Sequence, residues 1–293
     1  MKKVLAVCVL SNIMFSSGML YAIEKVVYGT DGRKEVFETP TAYEELARST
    51  AAMIPNSKLV KNGSSFRLNG VSTLGRDYNL CHSEEFLTQP TAANCSGFLV
   101  GPDTLVTAGH CVTDVSSCAS SMWVFDYKLE KSNLVRTNFP SSDVYKCKSI
   151  VSRNVDRVTQ NDFAVIKLDR SVVGRAPLKV RTSGKLDQSA DLLVIGNPSG
   201  LPTKVTEGGT LRKNDNPIFF IANLDTFGGN SGSAVFDAKT GIVEGILVRG
   251  EADYVPSTLG CTVVKVCAEG SCRGEDVTRI TNIKNVLKKI RKH

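Results

Sequence analysis

The sequence predicts an all-β fold from Ser65 onward, and three observations support that class. Short runs rich in β-branched and aromatic residues alternate with turn signals, at the spacing of a sandwich or a barrel. Helical periodicity is almost absent until the C-terminal end. Composition is that of an ordinary globular chain, 42% apolar and 22% charged, which excludes disordered and membrane-embedded classes. The length of 293 residues allows one large or two small domains.

Taken in order, residues 1–22 read as a signal peptide. Lys2 and Lys3 precede an apolar run from Val4 to Val9, which Ser11 and Asn12 interrupt before it resumes to Leu20. Leu20-Tyr21-Ala22 then ends in a small residue suited to signal peptidase. A membrane anchor is the competing reading, and the polar interruption disfavours it. Residues 23–64 do not read as part of the β fold. Thr41-Ala42-Tyr43-Glu44 fits a capping box, so a short helix through about Ser49 is expected. Ala51-Ala52-Met53-Ile54 would pack against the domain that follows. This stretch is either a propeptide or N-terminal arm tied to activation, or a surface segment wrapping the fold.

Residues 65–293 form the expected domain. Gly97–Val100, Thr104–Thr107, Met122–Phe125 and Phe163–Ile166 make a first group of strands. Leu192–Ile195, Ile218–Ile221 and Ile246–Val248 make a second. The pattern alone does not choose between sandwich and barrel. At the end, Ile280, Ile283, Leu287 and Ile290 recur at helical spacing among lysines and arginines, an amphipathic helix with a basic outer face. Docking on the preceding strands is its simplest role, since basic residues near a helix C-terminus are favoured by the dipole without any partner.

Loss of the leader removes Cys8 and leaves eight cysteines, an even count that argues for disulfides in an oxidising compartment. No C-x-x-C pair and no H-E-x-x-H occurs, so no metal site is expected. The formal charge of +7 falls to +5 without Lys2 and Lys3, too diffuse a surplus to indicate nucleic acid. Cys261–Cys267 is disfavoured by geometry. The run between them reads as a strand of roughly 20 Å, whereas bonded cysteines need Cα atoms within about 7 Å. Cys267 and Cys272 flank a turn and can pair. Cys81, Cys118, Cys147 and Cys261 keep three possible connectivities.

The chemistry centres on Gly228-Gly229-Asn230-Ser231-Gly232-Ser233. Glycines around a serine let a strained loop deliver a hydroxyl close to a substrate. A serine hydroxyl is a poor nucleophile until a base activates it. Of His82, His110 and His293, only His110 follows a strand-like run and precedes a cysteine. Asp162 opens the apolar run Phe163–Leu168, as a carboxylate held at the start of a buried strand would. Asp156 is a nearby rival without that strand behind it. An α/β-hydrolase is excluded, because Ser233 stands where the G-x-S-x-G elbow needs glycine and because the order Ser…Asp…His is not met.

Thr107-Ala108-Gly109-His110-Cys111, Asn161-Asp162-Phe163-Ala164-Val165-Ile166-Lys167-Leu168 and Gly229-Asn230-Ser231-Gly232-Ser233 together resemble the three signature segments of trypsin-type (chymotrypsin-fold) serine peptidases. The last is most similar to the bacterial glutamyl-endopeptidase-like branch. The resemblance covers residue 65 to the C-terminus, and weakly residues 26–33. It implies two packed six-stranded antiparallel barrels with the site in the crevice between them. It further implies a Ser231-His110-Asp162 triad working through an acyl-enzyme, without a cofactor, on protein or peptide substrates. Gly229 and Ser231 would supply the N–H groups of an oxyanion hole, and Cys95–Cys111 would form the disulfide beside the histidine. The expected protein is thus a secreted monomeric endopeptidase; a catalytically inactive binding protein of the same fold, or an esterase using the triad, are the alternatives.

The resemblance also marks a substrate pocket. Asp225 lies six residues before Ser231, at the pocket floor of trypsin-like members, where a carboxylate selects Arg or Lys. Val248 and Gly250 would lie along the substrate. Asn230 departs from the pattern, since it cannot form the ion pair with a freed α-ammonium that matures trypsin-type zymogens. Leu247 stands near where glutamyl-specific members place a histidine. Arg249 could neutralise Asp225 or attract an acidic side chain, and Asp225 could simply accept backbone hydrogen bonds.

Overall fold

A computed structural model describes residues 27–268 and 270–290, and places twelve strands in two closed six-stranded antiparallel barrels. The expected leader lies outside the described residues. The first barrel consists of Thr50–Pro55 (β1), Cys95–Gly101 (β2), Thr104–Thr107 (β3), Ser121–Phe125 (β4), Val144–Val155 (β5) and Asp162–Leu168 (β6). The second consists of Asp191–Gly196 (β7), Lys204–Lys213 (β8), Phe219–Asn223 (β9), Ala234–Asp237 (β10), Val243–Arg249 (β11) and Glu275–Arg279 (β12). Both follow one circuit. β1-β2-β3-β6-β5-β4 closes through the β4–β1 ladder, and β7-β8-β9-β12-β11-β10 closes through β10–β7.

Strands such as β6 and β7 are buried on both faces, which is why they read as unbroken apolar runs rather than alternating ones. In β7, Leu193 and Ile195 join a cluster that reaches Phe98 and Val106 of the first barrel. Leu192 and Val194 turn the other way, onto Phe220, Val235 and Val277 of their own barrel. Each such aliphatic side chain stabilises the fold by roughly 1.5–3 kcal/mol on full burial. The shared cluster fixes one barrel against the other, so the seam between them is a packed surface.

The N-terminal stretch corrects the expected domain boundary. Residues 50–55, expected outside the β fold, are β1, paired with β2 on one side and β4 on the other. A boundary at residue 65 would open the first barrel. Upstream, Arg33–Glu35 adds to β8 as an extra antiparallel strand, and Val27–Tyr28 pairs in parallel with Val266–Cys267. The segment therefore begins on the second barrel and ends inside the first. The expected helix forms at Thr41–Ala47, but Thr41 does not cap it. Pro40 occupies the cap position, and its fixed φ leads the chain into the helix with Thr41 already in the first turn.

At the C-terminus, a 3₁₀ turn (Ile280–Ile283) runs into the helix Lys284–Ile290. Ile280, Ile283 and Leu287 are buried in the shared cluster, with Val286 and Ile290 packed beside them. Docking therefore accounts for the apolar stripe. No helix among the described residues is long and apolar enough to cross a membrane.

Candidate active site

Three segments meet at the seam. β3 runs out through Ala108 and Gly109 to His110, β6 begins at Asp162, and the loop from β9 to β10 carries Ser231. Gly109 is needed for close passage, since a Cβ there would lie 2.3 Å from the Asn154 carbonyl oxygen and 2.7 Å from that of Phe163. Its N–H donates to Asp162 Oδ1 at 2.6 Å, and the His110 N–H donates to the same oxygen at 3.2 Å. His110 Nδ1 lies 2.7 Å from Asp162 Oδ2. From the other side, Arg153 Nε donates to the Gly109 carbonyl at 2.7 Å.

Asp162 is buried, and burial by itself would raise its carboxyl. The hydrogen bond and charge of His110, the charge of Arg249 and the Gly109 N–H outweigh that effect and hold it below the usual carboxylate range. An ionised carboxylate accepts only, so Nδ1 carries the imidazole hydrogen and Nε2 presents a lone pair. Nε2 is buried with no hydrogen-bond partner among the described residues.

Ser231 is buried, and its loop is pressed against the first barrel. Its carbonyl accepts the N–H of Ser96, on β2, at 2.8 Å and lies 3.7 Å from Cys111 Sγ. The next residue, Gly232, has φ +87°, and a Cβ on it would meet the Ser96 carbonyl at 2.1 Å and Thr107 Oγ1 at 2.2 Å. Only glycine fits there. The Gly228 carbonyl accepts the Ser199 N–H at 2.5 Å, and the Asn230 carbonyl accepts that of Ser233 at 2.8 Å. Across a trans peptide, N–H points opposite to C=O. The Gly229 and Ser231 N–H groups therefore face away from those acceptors. Asn230 itself is held in a local turn, its Oδ1 3.2 Å from Ser233 Oγ.

Cys95 and Cys111 are bonded, as the resemblance implies, and Cys267 pairs with Cys272. The four open cysteines resolve as Cys81–Cys261 and Cys118–Cys147. Among the described residues, the one cluster with metal-ligand geometry is Cys95, His110 and Cys111, whose sulfurs are joined and offer no thiolate.

Asp225 is placed differently from the pocket-floor expectation. Its Oδ1 accepts the Tyr28 N–H at 2.7 Å and its Oδ2 accepts the Gly32 N–H at 2.8 Å. The carboxylate thus ties the N-terminal segment to the second barrel. Arg249 does not fold onto it. Arg249 Nε donates to Asp276 Oδ2 at 3.0 Å, its Nη2 donates to the Gln160 carbonyl at 2.9 Å, and its Nη1 lies 3.8 Å from Asp162 Oδ2. Asp156 is partly exposed and accepts the N–H groups of Val158 and Thr159, within its own turn. Val248 is buried in the shared cluster, and Gly250 follows the end of β11. Sequence reading missed Glu275, a fully buried acid whose Oε2 lies 1.7 Å from where a Gly250 Cβ would be. Two adjacent acids at the head of a strand, Glu275 and Asp276, were the available signal.

Two six-stranded barrels with this His-Asp pair at their seam define the chymotrypsin-like peptidase class. The chain belongs to the trypsin-like peptidase family: the trypsin-like peptidase domain matches residues 95–246, more than half of its length. It is similar to the glutamyl endopeptidase of Bacillus licheniformis, 25% identical over 208 residues. That match spans 67% of this chain and 61% of the relative. A solved Glu endopeptidase in complex with MPD is 18% identical with a TM-score of 0.50, covering 91% of this chain and 99% of that one. The scabies mite inactivated protease paralogue S-I1 is 13% identical with a TM-score of 0.54, covering 90% and 99%. The last two are likenesses of fold, and one of them is an inactivated protein, so the fold alone does not decide activity.

Proposed function

We propose that the chain is a secreted serine endopeptidase with Ser231 as nucleophile, His110 as general base and Asp162 as its orienting carboxylate. The observation that supports this most is the 2.7 Å Nδ1–Oδ2 contact, which leaves Nε2 as the basic nitrogen at the seam that Ser231 borders. Ser231 Oγ attacks the scissile carbonyl as its proton passes to Nε2. The imidazolium, stabilised by Asp162, then returns the proton to the leaving amine, and water releases the acyl-enzyme by the same steps. The Gly229 and Ser231 N–H groups stabilise the tetrahedral oxyanion, each worth on the order of 3 kcal/mol. Four disulfides suit an oxidising compartment, and the Lys2-Lys3 leader suits export.

Casein hydrolysis and organophosphonate labelling test the reading. Wild type should do both and Ser231→Ala neither, while retaining its melting temperature. Labelling without casein cleavage, but with short-ester hydrolysis, would favour the esterase. Failure of wild type to label would make the chain an inactive binding protein of this fold.

For specificity, a preference for Arg or Lys before the scissile bond is supported by Glu275 in place of Asp225. Thr226 Oγ1 donates to Glu275 Oε2 at 3.1 Å, and this buried carboxylate backs Gly250. A carboxylate in that place favours a cationic side chain over an acidic one by charge. The B. licheniformis relative's name points to the opposite charge. In this chain Leu247 stands where a histidine would be needed, and Arg249 is engaged by two carboxylates. A peptide library profiled with wild type, Glu275→Gln and Asp225→Ser decides between them. Cleavage after Arg and Lys should dominate, collapse in Glu275→Gln and survive in Asp225→Ser; dominant cleavage after Glu would overturn the assignment.

A further inference from the structure

We propose that Arg249 is a positioning residue for the catalytic pair: held by the second barrel, its guanidinium reaches across the seam and fixes the charge balance of Asp162. The inference rests on the serine peptidase reading above. Arg249 closes β11, in the second barrel, yet two of its three polar side-chain contacts are on the first. Nη2 donates to the Gln160 carbonyl at 2.9 Å, and Nη1 stands 3.8 Å from the same Asp162 oxygen that accepts from His110 Nδ1. The third contact, Nε to Asp276 Oδ2 at 3.0 Å, anchors the side chain on its own barrel. Asp276 is buried and also accepts from Arg273 Nη2 at 2.6 Å, so it is itself fixed in place behind the guanidinium. Asn282 Nδ2 spans the same seam to Asn161 Oδ1 at 3.2 Å, which keeps the Gln160–Asp162 turn within reach.

A fixed cation here has a chemical consequence. Asp162 Oδ2 lies between a permanent positive charge and an imidazole that becomes positive during the reaction. The permanent charge opposes the build-up of a second positive charge on the ring, an effect that its removal would relieve. Other charged groups facing the pair are Arg153, from β5 onto the Gly109 carbonyl, and the Asp276–Arg273 pair behind Arg249. Arg153 and Arg273 direct their guanidinium groups to those partners, which leaves Arg249 as the arginine beside the Asp162 carboxylate among the described residues.

Arg249→Gln removes the charge while keeping a donor for Asp276, and Arg249→Lys keeps the charge while losing the fork. The pH dependence of the second-order rate constant for organophosphonate labelling is the readout, because it does not depend on how much of a sample folds. In Arg249→Gln the acid limb should move up by about half to one pH unit, the size of one charge acting through partly screened surroundings. In Arg249→Lys it should stay near the wild-type position. An unmoved limb in Arg249→Gln, or equal movement in both variants, would make Arg249 only a brace for Asp276. Absence of labelling in wild type would instead overturn the peptidase reading and leave no catalytic pair to position.

Discussion

Asp225 and Asp162 are both buried carboxylates, and their surroundings drive them in opposite directions. Burial raises Asp225 to about 6, and the Tyr28 and Gly32 N–H groups recover only part of that. Asp162 is held low because a ring, a guanidinium and backbone donors all meet it. The sign follows for stability. Between about pH 4 and 6, unfolded Asp225 has released its proton and folded Asp225 has not, so the folded state binds more protons and stability falls as pH rises. The fall is on the order of 3 kcal/mol, since each tenfold difference in proton affinity between the two states is worth about 1.4 kcal/mol. Asp225→Asn should flatten the pH dependence of melting temperature across that window, and an unchanged slope would count against it. Asp162→Asn should lower kcat by about 10⁴ by presenting the wrong tautomer. Asp156→Asn should leave kcat near wild type. The motif residues were legible because their chemistry is local. The partners of Asp225 were not, since Tyr28 lies 197 positions away and nothing near Asp225 signals which N–H groups it will meet.

At the scale of elements, the strands that could be read were those buried on both faces. Leu192–Ile195 and Phe163–Ile166 carry enough β-branched and large apolar residues to declare themselves. β1 does not. Ala51 and Ala52 are poor strand formers, and the helix just before them makes the stretch read as an arm. Its strand character comes from β2 and β4 on either side, which is tertiary information. The loop between β9 and β10 was legible for the reverse reason, since its glycines are demanded by sterics. Gly232→Ala combines a left-handed backbone with overlap onto the Ser96 carbonyl. It should cost on the order of 3 kcal/mol and reduce organophosphonate labelling with it. Wild-type stability and labelling in Gly232→Ala would show that the loop can relax, and would loosen the placement of Ser231.

At the scale of the whole molecule, the disulfides divide into three with sequence separations of 5, 16 and 29 and one that ties distant parts of the chain. Cys81 and Cys261 are 180 residues apart and join the segment before β2 to the long excursion between β11 and β12. The Cys81 N–H donates to the Thr262 carbonyl at 2.9 Å, and the Tyr78 and Tyr254 rings lie 4.6 Å apart beside this joint. Tyr254 in turn lies 5.6 Å from Phe227, the buried ring at the root of the loop that carries Gly229 and Ser231. The bridge therefore braces the site through a stack of rings while shortening the unfolded chain. Loop-closure estimates give about 5 kcal/mol for a loop of this length, against about 2 kcal/mol for the five-residue separation of Cys267–Cys272. Paired alanine replacements at each bridge, compared by denaturant midpoint, separate the two. Loss of Cys81–Cys261 should lower the midpoint clearly more and slow organophosphonate labelling even under native conditions. Loss of Cys267–Cys272 should do the first weakly. Equal midpoints would mean that the segments around Cys81 and Cys261 stay docked on their hydrogen bonds and rings alone.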